Sequence, residues 1–416
     1  MLVNVTSEIG KVEGIIIHTP GSEVENMTPQ NAERALYSDI LNLSVAGKEY
    51  SSFKKILTKF TKVFEVTDLL NEIAQNDEAK ANIINTITEN ENILDLKTQL
   101  LQLSSDKLAK ILIEGLPLVH DNLTKYLSGE RYSLQPLHNF FFTRDASITI
   151  RNKILVARMS TKVRERESII MEAIFNYHPE LKTETINPQK SRFYNDKITI
   201  EGGDIFVPRE DIILIGVGSR TTSQGIDFII ERIKENGEKR HIIIQELPLK
   251  PESFIHLDMV FTLLDKNQCM IYEPVIKNTH DFHTIHIIVD NGKVKSITEK
   301  KDILEVLGNL GMEISPVICG GHGDIWTQER EQWHSGANFF ALAPGKVIGY
   351  GRNERTIEQL NKNGYDVLNS SDIFDGKIML EDYNKFVITL PGSELARGGG
   401  GCRCMTMPVN RQPVNW

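Results

Sequence analysis

The sequence predicts an α/β fold: a closed, pseudo-symmetric array of about five small strand–helix units, interrupted by a helical insertion. Three observations predict it. A polar residue, a short apolar strand, a tight turn and a second strand recur along the chain. Helical periodicity follows at least three of these hairpins. Between Thr67 and about Arg131 the grammar stops and helical spacing takes over. A single strand–helix unit cannot bury its own apolar face, so such units must pack against one another.

The N-terminal strand Gly14-Ile15-Ile16-Ile17-His18 ends at Thr19-Pro20-Gly21 and is a candidate partner for the C-terminal tail. In the segment that breaks the pattern, Ile83, Ile84 and Ile87 share a helical face, as do Leu96, Leu100 and Leu103. A further helix carries Leu108, Ile111 and Leu112, with Ser105 as its cap and Gly115 as its stop. The expected organisation is therefore 1–66 with 132–416 as the main body, and 67–131 as an inserted helical subdomain.

The hairpins follow. Asp145 leads into Ile148-Thr149-Ile150 and Ile154-Leu155-Val156, Asp204 into Ile205-Phe206-Val207 and Ile212 to Gly216. Asp258 leads into Met259 to Leu264 and Cys269 to Tyr272, Asn338 into Phe339 to Leu342 and Val347 to Tyr350. Ile169, Ile170, Ala173 and Ile174 mark one following helix, and Ile226, Ile229, Ile230 and Ile233 another; a third opens at Ile357 and stops at Gly364. The strand Phe386 to Leu390 reads as a final half-unit leading into a glycine loop. In a closed array the polar residue that opens each hairpin faces a common axis, which would gather Asp145, Asp204, Asp258 and Cys404.

Bulk properties narrow the function. The 416 residues carry 47 basic and 56 acidic side chains, a net charge of -9 with no basic run, which argues against nucleic acid as a partner. No stretch approaches the roughly 18 apolar residues of a membrane span. The N-terminus lacks the regions of a secretion signal. The four cysteines, Cys269, Cys319, Cys402 and Cys404, read as thiols of a reducing cytoplasm, not as a disulfide framework.

The tail Gly398-Gly399-Gly400-Gly401-Cys402-Arg403-Cys404 holds the strongest chemical signal. Four glycines let a backbone approach a bound molecule, and the thiol at their end is a candidate nucleophile. The competing reading is a buried structural thiol. Cys402 makes a Cys-x-Cys pair, but no second pair completes a zinc site, and it is taken as a bystander. His256-Leu257-Asp258, at strand spacing, puts an imidazole and a carboxylate on one face, suited to proton transfer or to a simple hydrogen bond. Glu201-Gly202-Gly203-Asp204 offers two carboxylates or a turn, and Asp145 after Arg144 a ligand or a surface ion pair. His280, His283 and His286 lack a partner cluster for a metal, and Gly320-Gly321-His322-Gly323 lacks the context of a phosphate loop.

Together these stretches resemble the arginine deiminase family of the guanidino-group modifying superfamily. The resemblance rests on Leu137 to Asp145, Glu201 to Asp204, His256 to Asp258, Arg330-Glu331-Gln332-Trp333 and Arg403 to Pro408. It implies a five-bladed αβ-propeller and the hydrolysis of L-arginine to L-citrulline and ammonia, with no metal or cofactor. It implies Cys404 as nucleophile, His256 as general acid then base, Asp145 and Asp258 on the guanidinium, and Glu201 holding its neighbours and His256. Asp204 would bind the α-ammonium, Arg164, Arg220 and Asn139 the α-carboxylate, and Phe142 would stack near the guanidinium. The expected partner is the small-molecule substrate alone, with no nucleic acid or membrane, in a homo-oligomer (a dimer or higher). An amidinotransferase using the same kind of intermediate, or a non-catalytic arginine-binding or adhesion protein, are the alternatives. An arginine inside the glycine loop, present in some relatives, is missing here; only Arg397 precedes the glycines.

Overall fold

The computed structural model describes residues 2–32, 37, 39–278 and 280–416. It is a mixed α/β fold in which one three-strand pattern is repeated in five sheets. In each, two strands form an antiparallel hairpin and a third lies parallel to the hairpin's second strand. The sheets are Ser147–Ile150, Lys153–Val156 and Glu184–Ile186; Ile205–Arg209, Ile212–Val217 and Arg240–Glu246; Phe261–Asp265, Gln268–Ile271 and Ser315–Ile318; and Phe340–Ala343, Lys346–Tyr350 and Phe386–Leu390. The fifth joins the chain's two ends: Met407–Arg411 is antiparallel to Val12–Ile17, which is parallel to Lys62–Glu65.

Parallel neighbours need a crossover, and here helices supply most of it. Glu165–Tyr177, Ser223–Asn236, Glu354–Lys362 and Leu43–Phe60 each precede a parallel strand. Ser223–Asn236 shows the local logic. Thr222 caps it through the Gly225 N–H, Ile226, Ile229, Ile230 and Ile233 bury one face, and Gly237 ends it in the left-handed conformation.

Three strands depart from the expected pattern. Phe386–Leu390 opens no half-unit; it sits between Lys346–Tyr350 and Asp366–Asn369 inside its sheet. Thr284–Asp290 and Lys293–Lys300 form a ribbon that extends the sheet containing Arg240–Glu246, although it lies later in sequence than the next hairpin. The outer strand of that ribbon is largely exposed and polar, so it lacks the apolar alternation that marks a half-buried strand.

The segment expected to be helical contains Val66–Ile73, Asp77–Asn90, Lys97–Leu101, Ser105–Glu114 and Leu123–Leu127. Ser104, not Ser105, stands at the N-cap of the fourth, and Gly115 ends it. Leu70, Ile84, Ile87, Leu108 and Leu112 share one continuous core with Ile170, Ile174 and Phe175 of Glu165–Tyr177. The helical segment is thus packed directly onto the unit that carries Asp145. Among the described residues no helix is long and apolar enough to cross a membrane.

Candidate active site

The pattern places five side chains at equivalent points. Asp145, Asp204, Asp258, Asn338 and Cys404 each stand one to three residues before the first strand of a sheet, and all are buried. Two of them lie within 3-10 turns, Asp204 at the end of Gly202–Asp204 and Asp258 in the middle of Leu257–Met259. His256 is extended, but the chain turns immediately after it. His256 and Asp258 therefore do not share a strand face as their spacing suggests, because the intervening residue lies in a 3-10 turn.

The glycine loop brings Cys404 to a pocket. A Cβ on Gly400 would lie 2.5 Å from the Phe142 ring, and one on Gly401 2.7 Å from Asn338; Gly399 takes φ +83°. Glycine is required at these points for the backbone to pass this closely. The pocket, about 790 Å³ with its open mouth included, is lined by Asn139, Phe142, Asp145, Arg164, Arg220, His256 and Cys404. Ile255, Met259, Trp333, Glu252, Ser253 and the loop from Ala396 to Gly400 complete its wall.

At its floor, Sγ of Cys404 lies 3.1 Å from Asn338 Nδ2 and 3.5 Å from Asp258 Oδ2. Burial, then the carboxylates of Asp258 and Asp145, push the thiol well above its ordinary range. His256 Nε2 lies 2.9 Å from Glu201 Oε2, and Nδ1 lies 3.6 Å from Asp145 Oδ1. Burial works against the imidazolium, but Asp145, Glu201 and Asp204 outweigh it and raise His256 to about 9. Burial likewise works against the Glu201 carboxylate, yet the hydrogen bond and charge of His256 hold it at about 2. Its other oxygen accepts from the amide and hydroxyl of Ser160, both at 2.9 Å.

Asp145 is no surface ion pair. It is buried, and its Oδ2 accepts from Arg164 Nη1 at 2.7 Å, while Arg144 turns away to the backbone of Arg403. Arg164 also pairs with Glu167 at 2.8 Å. Burial, opposed by Arg164, raises Glu167 to about 6. Arg220 reaches Ser160 Oγ at 3.1 Å. Asp204, expected at a substrate ammonium, lies behind the pocket wall: its Oδ1 accepts the Leu257 N–H at 2.9 Å, and burial raises it to about 7. Asp258 and Glu201 also stand behind the lining. Asp258 Oδ2 accepts from Arg403 Nη1 at 3.0 Å, and Arg403 Nε reaches Glu8 Oε2 at 3.2 Å.

Ligand atoms of Asp145, Glu201 and His256 lie within 4.8 Å of one another, and among the described residues they are the group that could hold a metal ion. Their contacts are those of an imidazolium between carboxylates, with Glu201 also engaged by Ser160. His283 meets Glu299 at the surface, and His286 stacks on His241. Cys402 is buried, away from the lining residues.

Motif reading alone missed Glu167, Ser160 and Glu8, and placed Asn338 as a hairpin opener without assigning it to the site. The i, i+3 spacing of Arg164 and Glu167 on one helical turn was a usable signal. Glu8 sits 395 residues from Arg403 and had none.

The family model for arginine deiminase matches residues 33–411. The chain is 34% identical to the arginine deiminase of Borrelia duttonii, over 99% of this chain and 98% of that one. It is 32% identical to that of Listeria innocua, over 98% of each. Among solved structures it is similar to an amidinotransferase from Microseira wollei, with TM-score 0.56, 14% identity, and coverage of 100% and 98% of the two chains. It is similar also to the N-terminal domain of an arginine dihydrolase from cyanobacteria, with TM-score 0.53, 13% identity, and coverage of 96% and 97%.

Proposed function

The chain belongs to the arginine deiminase family, and from that membership we propose that the pocket hydrolyses L-arginine to L-citrulline and ammonia with Cys404 as the nucleophile. One observation carries the assignment of residues. Beside the buried thiol, Asp145 Oδ1 faces the pocket with no hydrogen-bond partner within the protein, and its nearest neighbour is His256 Nδ1 at 3.6 Å. Buried polar atoms without partners are costly, so a ligand offering N–H donors and positive charge fits this wall.

A guanidinium is planar, always charged and a poor electrophile at carbon. Asp145, on the pocket wall, holds it; Asp258 stands behind the lining beside Sγ, and its unpartnered Oδ1 is the oxygen left for the guanidinium. Its charge lowers the cost of the thiolate, and the thiol proton passes to solvent as the cation binds. Sulfur attacks the central carbon. His256, protonated at neutral pH, gives its proton to the departing nitrogen, and ammonia leaves. A thiouronium joined to Cys404 remains. His256, now neutral, takes a proton from water as the oxygen attacks the same carbon. The C–S bond breaks, its electron pair returns to sulfur, the hydroxyl proton passes to solvent as the carbonyl forms, and citrulline departs. Glu201 keeps the imidazole oriented through Nε2, leaving Nδ1 toward the substrate.

Arg164, Arg220 and Asn139 are suited to the α-carboxylate, and Phe142 to the side of the guanidinium. Asp204 braces the turn that carries His256 and Asp258. The repeated three-strand pattern supports an arrangement of the five sheets as blades about the pocket, with 67–131 as an inserted helical subdomain. Four free cysteines support a reducing compartment such as the cytoplasm, and we take the active form to be a homo-oligomer.

The test is citrulline and ammonia formed from arginine alone by the purified protein and by Cys404→Ala. Stoichiometric release by the parent and loss in the variant are expected. Turnover that appears only with an added amine acceptor would favour the amidinotransferase alternative, and binding without turnover the non-catalytic one.

A further inference from the structure

Asn338 opens a hairpin just as Asp145, Asp204 and Asp258 do, and it stands against the reacting sulfur. Its side chain is buried and fully engaged. Oδ1 accepts the backbone N–H of Arg403 at 2.9 Å and of Cys404 at 3.3 Å. Nδ2 donates to the carbonyl of Asp258 at 3.0 Å and lies 3.1 Å from Cys404 Sγ. These contacts fix which end of the amide is which. Two N–H groups need an oxygen opposite them, and the Asp258 carbonyl needs a donor. The other Nδ2 hydrogen has Cys404 Sγ at 3.1 Å and the thioether of Met259 at 3.8 Å, and the nearer sulfur takes it.

We propose that Asn338 is a catalytic residue, whose amide donates a hydrogen bond to Sγ of Cys404 and stabilises the thiolate both as it attacks and as it is released. A donor aimed at sulfur favours the charged form over the thiol. The two carboxylates nearby act the other way, and this N–H joins the Gly401 backbone and the Arg403 charge in offsetting them. When the C–S bond of the intermediate breaks, the electron pair returns to sulfur, and the same N–H meets it. The sequence also accommodates this contact. A Cβ at position 401 would come within 2.7 Å of the Asn338 side chain and 2.8 Å of its carbonyl, so Gly401 is the glycine that lets the amide reach the thiol.

The inference rests on Cys404 being the nucleophile, and its test separates the two. The rate of carboxamidomethylation of Cys404 by iodoacetamide is followed against pH without arginine, with the modified residue identified by mass spectrometry. Asn338→Asp keeps the shape and the oxygen facing the two backbone N–H groups; Asn338→Ala removes the donor outright. In both, the midpoint of the alkylation curve is expected to move up by about one pH unit or more. The kcat for citrulline is expected to fall at least about tenfold, with KM changed far less. Curves superimposing on the parent's for the folded variants would overturn the role of Asn338. Citrulline formation surviving in Cys404→Ala would instead overturn the assignment beneath it.

Discussion

Two sides of Cys404 both carry buried charged groups, yet they are built differently. On the pocket side, Asp145 and His256 each keep one polar atom without a protein partner. On the far side, Arg403 spends its guanidinium on Glu8, Asp258 and the Ile205 carbonyl, and stacks 3.6 Å from the Phe206 ring centroid. Asn338 is likewise saturated. The donors of Arg403 and Asn338 are consumed as support, whereas the carboxylates that flank the thiol, Asp145 and Asp258, each keep one oxygen unpartnered. The contrast predicts that changes on the pocket side remove activity and spare the fold, whereas changes on the far side remove stability first.

The largest effect tests the pocket side. His256→Asn should lower kcat for citrulline by about a thousandfold or more, since proton transfer to the leaving nitrogen is lost. Arginine should still raise the melting temperature of Cys404→Ala, because a bound cation relieves Asp145 and Asp258. A calorimetric scan with no shift would blur the contrast between the two walls.

On the far side, Glu8→Gln leaves the buried Arg403 with one carboxylate partner fewer. Removing one partner of a buried pair costs about 3–5 kcal/mol, read from urea denaturation at neutral pH. Burial acts to raise Glu8, but Arg403 and Arg144 hold it below 4.5. Its contribution is therefore present above pH 4.5 and fades as pH falls, so the parent and Glu8→Gln should converge in acid.

A pH series sharpens the comparison at the boundary. His256, raised from 6.5 to about 9, contributes stability that is full below pH 6.5 and is lost as pH rises through 9. Glu201, lowered from 4.5 to about 2, contributes stability that is full above pH 4.5 and is lost as pH falls toward 2. The stability gap between the parent and Glu201→Gln should be widest between pH 4.5 and 6.5. A gap that does not narrow on either side would separate the two groups.

The smallest effect concerns the loop. Gly400→Ala forces the Phe142 ring to move, since its atoms stand 2.5 to 3.0 Å from the new methyl. KM should rise about tenfold, with a stability loss of about 1–3 kcal/mol. Equal KM values would mean that Phe142 does not shape the bound substrate.

Much of this was legible beforehand. The hairpin openers, Cys404 behind its glycines, and the helical spacing from Ile83 to Leu112 all follow from local pattern. The exposed strand Lys293–Lys300 was not, because polar residues on an outer strand carry no burial signal. Nor was the retreat of Asp204 behind the pocket wall. Its motif matched, but the 3-10 turn delivers its carboxylate to the Leu257 N–H.

Sequence alone determined the chemical inventory here: a thiol, an imidazole, carboxylates and the glycines that let the chain come close. Those choices are set by residue type and short-range spacing. Tertiary structure alone decided which of them face the pocket and which are consumed as support. Glu8 meets Arg403 across 395 residues, and Asn338 meets Cys404 across 66. Such contacts depend on how separate sheets close together, and no local periodicity encodes that closure.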